Sequence, residues 1–393
     1  MKKIPYGRQN ITQEDIDAVV EVLKSDFLTQ GPNIRKFEDA FAGYVGSKYA
    51  IAVSNATAAL HLCTIALNVK HGDKVITSPI TFVASANCVQ YCGGEIIFAD
   101  IDKKTYLLDI NEVRKLLEAD KGKEIKGIIP VDFAGRVVNM QEFRKLADEF
   151  NCWIIEDACH APGGSFINSI DEKIFAGSGI YADLAIFSFH PVKHIACGEG
   201  GMITTNDEAL YKRLLKLRTH GIVKDDSQYI NSIEFAGGIT TYPLWYMEMQ
   251  ELGYNYRLTD FQAALGISQL KRADKGLNRR KEIAKTYFEA FKNHPKIKGQ
   301  SGFEDEHAYH LYIIEVENRK ELYDYLSCEN IFCQVHYIPV HTFPYYKNLG
   351  FKLGDYPNAE KYYTQCLSLP MYPTLKKDEQ IFIIKCINAY LNG

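Results

Sequence analysis

Apolar residues along this chain follow two rhythms. Short unbroken runs occur at "YAIAV" (49–53), "KVITS" (74–78), "EIIFA" (95–99), "GIIPV" (127–131), "CWIIED" (152–157), "DLAIFSF" (183–189) and "GMITT" (201–205). Runs of this length, without alternation, read as strands buried on both faces. Between them, at 57–68, 81–91, 111–119 and 140–150, apolar positions recur at helical spacing. Strands alternating with helices predict a mostly parallel sheet covered on both sides. The last two runs lie too close together for a helical crossover, so one of them is expected to run antiparallel.

The ends of the chain carry other patterns. "ITQEDIDAVVEVLKS" predicts a first helix with Thr12 as N-cap, and a second follows the Gly31-Pro32 turn. Beyond 207 come the helical "DEALYKRLLKLRTHG", a long irregular loop over 223–253, and a long helical stretch over about 259–293. "AYHLYIIEVE" (308–317) and "IFCQVHYIPV" (331–340) read as strands around the helix "KELYDYLSCEN", and a helix near 377–391 closes the chain. The expected architecture is α/β, with a mixed, mostly parallel seven-stranded sheet and a smaller C-terminal α/β unit. We divide the chain into 1–257 (N-terminal helices and large domain) and 258–393 (long helix and small domain).

Composition narrows the function classes. The 393 residues carry a net charge of −4, which gives no broad electrostatic case for nucleic acid. No apolar run reaches membrane-spanning length, and the polar start "MKKIPYGRQNITQED" lacks a secretory core, so a cytoplasmic location is expected. The ten cysteines are scattered without a C-x-x-C pair and read as free thiols. His307 with His310, and His336 with His341, have ligand-like spacing but no supporting zinc motif, so no metal site is expected. "GEGG" lacks the spacing of a dinucleotide-binding turn.

Four features could carry chemistry. Asp157 ends the strand "CWIIED", and ligands in open α/β sheets sit beyond such strand ends. There it could hold a cationic ring nitrogen, or merely cap a turn. Lys193, in "SFHPVKHIACGEGG", lies between two histidines just past another strand. Burial and like charge could keep its amine neutral and nucleophilic, although most lysines are solvated. "SNATAALH" opens a helix, where free amides suit a phosphate or need only a cap; Ser188 could add a hydroxyl. Phe82, in "ITFVASAN", could lie flat on an aromatic ring or pack in the core. Together the four suit pyridoxal 5′-phosphate, whose ring needs a carboxylate partner and whose aldehyde needs a lysine.

The segments "FLTQGPNIRKFEDAFAGYVG", "VSNATAALHL", "SPITFVASAN", "VDFAGRVVNM", "IIEDACHAPG", "FSFHPVKHIACGEGGMITTND", "LRTHGI", "ELGYNYRLTDFQAALGISQL" and "CQVHYIPVH" span nearly the whole chain. In them the sequence resembles the fold-type-I, pyridoxal-phosphate-dependent, DegT-type aminotransferases of nucleotide-linked keto-sugars. "SFHPVK", "ELGYNYRL" and "QVHY" are most similar to the pseudaminic-acid branch. The resemblance implies that Lys193 carries the cofactor covalently and that Asp157 partners its ring nitrogen. It implies that His160 sits near the ring hydroxyl, where many relatives have glutamine, and that Phe82 covers the ring face. Thr57, Ala58 and Ser188 would bind the phosphate. Asn255, supported by Arg257, would reach that phosphate from a second subunit, implying a homodimer with shared sites. His336 and Tyr337 would approach the sugar nucleotide.

Some relatives are dehydratases with histidine at the lysine position; here position 193 is lysine and the histidine follows, so transamination is implied. The implied substrates are glutamate, as amino donor, and a UDP-linked 4-keto-6-deoxy-N-acetylhexosamine. Bacillosamine-type or perosamine-type substrates are the alternatives. A noncatalytic regulatory role would require loss of Lys193 or Asp157, and both are present. The segments 165–181 and 225–250 are longer than is usual for the family.

Overall fold

The computed structural model describes residues 3–300 and 302–392. Its main sheet contains β1 (Tyr49–Val53), β2 (Lys74–Thr77), β3 (Glu95–Phe98), β4 (Ile125–Ile129), β5 (Trp153–Asp157), β8 (Leu184–Ser188) and β9 (Gly201–Thr205). A hairpin of β6 (Ser165–Ile167) and β7 (Lys173–Phe175) stands apart from it. The strand order is β3-β2-β4-β5-β8-β9-β1. All pairs are parallel except β8–β9 and β9–β1, so β9 is the one strand that runs against its neighbours. The 189–200 link between β8 and β9 forms turns and no helix, so it lacks the helical crossover that usually joins parallel strands. The seven-stranded, mostly parallel sheet of the sequence reading is present.

Every residue of β8 and β9 is buried, as expected for strands covered on both faces. On one face, Phe37 and Phe41 of the helix Pro32–Val45 pack on Phe189 and Phe187, with ring centroids 4.8–5.4 Å apart. The helices Ile110–Ala119 and Met140–Phe150 join that layer. The opposite face carries Ala56–Ala66, Ala84–Tyr91 and Glu208–Leu217. Gly127 is required where β4 and β5 meet: a Cβ there would lie 2.3 Å from the Trp153 ring.

A third cluster of apolar residues belongs to the C-terminal part. It surrounds a small antiparallel sheet, β12 (Lys298–Gly299), β13 (Tyr312–Glu315) and β14 (Cys366–Leu369), with the helices Arg319–Cys328 and Lys377–Asn392 against it. The loop expected at 223–253 is largely irregular, but its ends are clasped by β10 (Ile222–Val223) and β11 (Glu248–Met249).

Two expectations fail. The helical stretch at 259–293 is two helices, Asp260–Leu270 and Ala273–Phe291. Arg272 leaves helical geometry between them, and its guanidinium reaches back to the carbonyl of Asn10 and to Asp15. The segment 331–340 is not a strand; it makes only single bridges, Ile331 to Ile4 and Gln334 to Ser368. The consecutive residues His336 and Tyr337 both face one cavity, which the alternation of a regular strand forbids.

The N-terminal helices are fastened to the second half of the chain by buried carboxylates. Asp260 accepts the amides of Gly31 (2.5 Å) and Asn33 (2.9 Å), at the start of the helix Pro32–Val45. Asp15, fully buried, accepts from Gln269 (2.7 Å) and Arg272. Asp260→Ala should therefore cost about 1–3 kcal/mol through the lost cap and its unpaired amides. Urea unfolding should show a lower midpoint at unchanged slope, and an unmoved midpoint would show that this carboxylate is not a fastening.

Candidate active site

The carboxyl ends of β5 and β8 stop at Asp157 and Ser188. Beyond them opens a cavity of about 1120 Å³. Nine of the ten site residues named from the sequence line it: Thr57, Ala58, Phe82, Asp157, His160, Ser188, Lys193, His336 and Tyr337. Asn255 does not; it lies exposed on the surface of its own chain, bridged to Thr219.

Asp157 is buried, and its orientation is fixed. Ser85 Oγ donates to Oδ2 (2.7 Å), and the Cys159 amide donates to Oδ1 (3.2 Å). Thr81 Oγ1 lies 2.9 Å from Ser85 Oγ, extending the relay away from the carboxylate. Ser85 and Thr81 were not singled out from the sequence, although hydroxyls four residues apart where a helix begins are a readable signal.

Lys193 is half-buried, and among the described residues its amine forms no hydrogen bond or ion pair. Removal from water, the dominant effect, and the Arg280 charge lower its pKa; the Asp157 carboxylate pulls it back up. The site thus holds a lysine biased toward the uncharged amine, beside a carboxylate whose lone pairs are aimed by two donors.

The helix Ala56–Ala66 begins at the rim. Its N-cap is Asn55, whose Oδ1 accepts the Ala58 amide at 2.8 Å. The amides of Ala56 and Thr57 have no acceptor among the described residues, so two donors and the helix dipole point into the cavity. Gly201 of β9 permits this approach, since a Cβ there would lie 2.6 Å from the Asn55 carbonyl carbon. Phe82 is 60 % exposed and lines the cavity, with its ring 6.4 Å from that of Tyr337. The core-packing reading of Phe82 therefore fails.

Histidines form the far wall. His160 Nδ1 accepts the Ala134 amide (3.2 Å), which leaves the ring proton on Nε2, 3.1 Å from Tyr337 Oη. His310 packs on His160 at 4.3 Å between centroids. Burial above all holds His160 and His310 well below the ordinary histidine pKa. The same effect takes His336, bonded to Ser368 Oγ at 2.9 Å, down to about 3. These rings are neutral at pH 7. Tyr6 and His310 also line the cavity and arrive from segments far away in sequence, with no local signal. His307 and His341 turn elsewhere, to Gln300 and Glu360, and no three metal-ligating side chains cluster among the described residues.

Comparison with known proteins agrees with this geometry. The profile of the DegT/DnrJ/EryC1/StrS aminotransferase family matches residues 9–388. The chain is 40% identical, over 99% of its length and 98% of the relative's, to the uncharacterized protein MJ1066 of Methanocaldococcus jannaschii. It is 38% identical to the UDP-4-amino-4,6-dideoxy-N-acetyl-beta-L-altrosamine transaminase of Campylobacter jejuni, covering 97% of this chain and 95% of that one. Among solved structures it is similar to Helicobacter pylori PseC, an aminotransferase of pseudaminic acid biosynthesis, with a TM-score of 0.88, 30% identity and full coverage of both chains.

The neutral histidines make stability depend on pH. Their folded pKa values lie below the unfolded value of about 6.5, so the unfolded chain binds more protons in acid. The stabilisation is complete above about pH 6.5 and is lost as pH falls, by about 1.4 kcal/mol per unit for each such histidine. Unfolding of the ligand-free chain should take up several protons near pH 5.5, read as a steep fall in urea midpoint between pH 7 and 5. A flat profile would mean that these rings are already charged in the folded protein.

Proposed function

The chain belongs to the DegT/DnrJ/EryC1/StrS aminotransferase family, a pyridoxal-phosphate-dependent family, and we propose that its acceptor is a UDP-linked 4-keto-6-deoxy-N-acetylhexosamine. The proposed product is UDP-4-amino-4,6-dideoxy-N-acetyl-β-L-altrosamine, with glutamate as donor. The observation that carries this reading is the unpartnered Lys193 amine facing the same cavity as the Asp157 carboxylate. The choice of sugar is supported by the likeness to the Campylobacter jejuni enzyme.

The residues present fit the cofactor. When bound, pyridoxal phosphate supplies an electron-accepting ring and an aldehyde that carries the amino group from donor to acceptor. Asp157, aimed by Ser85 and the Cys159 amide, would balance a positive charge on the ring nitrogen. Thr57, with a free amide, and Ser188, with a hydroxyl, would hold the phosphate; the Ala58 amide is taken by Asn55 Oδ1 and would have to exchange that partner to join them. Phe82 would cover the ring, and His160, held by the Ala134 amide and Tyr337, would stand by the ring hydroxyl.

Lys193 would hold the cofactor, and its Nζ, when free, would serve as general base and acid. His336 and Tyr337 meet the sugar nucleotide. Asn255, exposed on its own chain, reaches the phosphate of a second copy with support from Arg257, which makes the working unit a homodimer. In this reading residues 1–257 form the cofactor-binding unit and 258–393 the unit that closes the substrate side. Segments 165–181 and 225–250 then shape access. No helix of the described residues is long and apolar enough to cross a membrane, and we take the enzyme to work in the cytoplasm on soluble substrates.

The purified protein should be yellow and should bleach on addition of the amino donor. Lys193→Ala should lower turnover by at least about 10³-fold, since it removes both tether and proton carrier; turnover at the wild-type rate would refute the assignment. Incubation with glutamate and a panel of 4-keto sugar nucleotides, with product configuration read by NMR, tests the substrate. Amination of only a D-series 4-keto sugar would reassign the chain to the bacillosamine or perosamine type. Ser85→Ala should raise the cofactor dissociation constant about 10-fold or more by removing a hydrogen bond to a charged acceptor; unchanged affinity would remove Ser85 from the site.

A further inference from the structure

Arg280 is a buried cation without a counter-ion. It lies on the helix Ala273–Phe291 and is 1 % exposed. Its Nη1 donates to three backbone carbonyls, those of Met371 (3.1 Å), His310 (3.2 Å) and Tyr309 (3.4 Å). Among the described residues it makes no ion pair, and its Nε has no acceptor. Isolated buried charges are costly, and proteins normally pair them. Three carbonyl dipoles hold this one in place without cancelling its charge.

The position of that charge matters. The segment carrying two of the carbonyls also builds the wall beside Lys193. The Ala308 carbonyl is 2.9 Å from His194 Nε2, and His194 follows Lys193 directly in the chain. The His310 ring packs on His160 and lies 5.7 Å from that of His194. Asp157, Cys159, His160, His310 and His336 share the cavity with Lys193, His194 follows it in the chain, and Arg280 stands behind the 309–310 backbone. The histidines are neutral, and the Cys159 thiol is held protonated by burial and by Asp157. Glu199 shares the Lys193 cavity, and Arg8, Arg272, Lys275, Arg279 and Glu282 line a second pocket that Lys193 also borders; all six are at least partly exposed, so of these charges Asp157 and Arg280 are the buried ones, and they are opposite in sign.

We propose that Arg280 is a positioning residue that acts through its charge, holding the Lys193 amine in the uncharged form needed to take up the cofactor. Asp157 by itself would favour the ammonium, and Arg280 offsets it through the 309–310 backbone. This rests on Lys193 being the reactive amine, but its test does not depend on turnover.

The test is the pH dependence of acetic anhydride labelling of Lys193 in the full chain stripped of cofactor, read by mass spectrometry of the Lys193 peptide. The wild-type midpoint should lie below the ordinary lysine value of about 10.4. Arg280→Gln and Arg280→Met should raise it by about one unit, a tenfold loss of uncharged amine at neutral pH, and Arg280→Lys should restore it. A folded Arg280→Gln protein with the wild-type midpoint overturns the proposal. A shift in Arg280→Lys as large as that in Arg280→Gln also overturns it, because geometry rather than charge would then be what matters. Should neither neutral variant fold, the wild-type midpoint decides, and an ordinary lysine value sinks the idea. A charge-dependent midpoint together with full turnover by Lys193→Ala would leave this inference standing and refute only the catalytic assignment.

Discussion

The Lys193 amine is half-buried in the cavity and, among the described residues, has no hydrogen-bond partner, and the rest of the site follows from that constraint. An amine in such a place is held toward the neutral form by desolvation, and a neutral amine is a nucleophile. The surrounding groups serve the same end. Four neighbouring histidines are neutral, a thiol is held protonated, and the carboxylate that would draw a proton back onto the amine is already engaged by Ser85 and the Cys159 amide. Arg280, on the far side of the 309–310 backbone, adds the opposing charge.

The sheet makes this constraint possible. Parallel strands end at one edge, and β5 and β8, which are neighbours in the sheet, deliver Asp157 and Ser188 side by side. Reversal of β9 returns the chain beneath the helix Ala56–Ala66, where Gly201 lets the two backbones approach. The unpaired amides at that helix start therefore belong to the same cavity as the lysine. In the proposed reading, phosphate, ring and aldehyde would each meet a wall on a different element, and the packed sheet fixes the spacing of those walls.

The proposed chemistry rests on this packed geometry, whereas the residues proposed to meet the sugar sit on less regular parts of the chain. His336 and Tyr337 sit on an irregular segment, and the 223–253 loop is clasped at its ends, through Glu248, and by the packed rings of Tyr229, Tyr242 and Tyr246. Burial pushes the pKa of Glu248 up, but bonds from Gln250, Ile230, Asn231 and Tyr246 outweigh it and bring the value to about 2. One carboxylate thus organises a long loop with little core of its own.

The sequence by itself determined the alternation of buried strands and helices, and with it the sheet and the strand ends that carry Asp157 and Lys193. These features are local: period, run length and the residue at a strand end are visible within a few positions. Only the tertiary structure decided which distant residues complete the site. Ser85 meets Asp157 from 72 residues away, and Tyr6, His310 and Arg280 arrive on separate elements. It also broke the helix at Arg272, where a contact to Asp15 overrides a periodicity that continues on both sides. It kept 331–340 out of the sheet, because two successive side chains had to face one cavity. Contacts of this kind depend on the packed geometry of the whole chain, which no local pattern encodes.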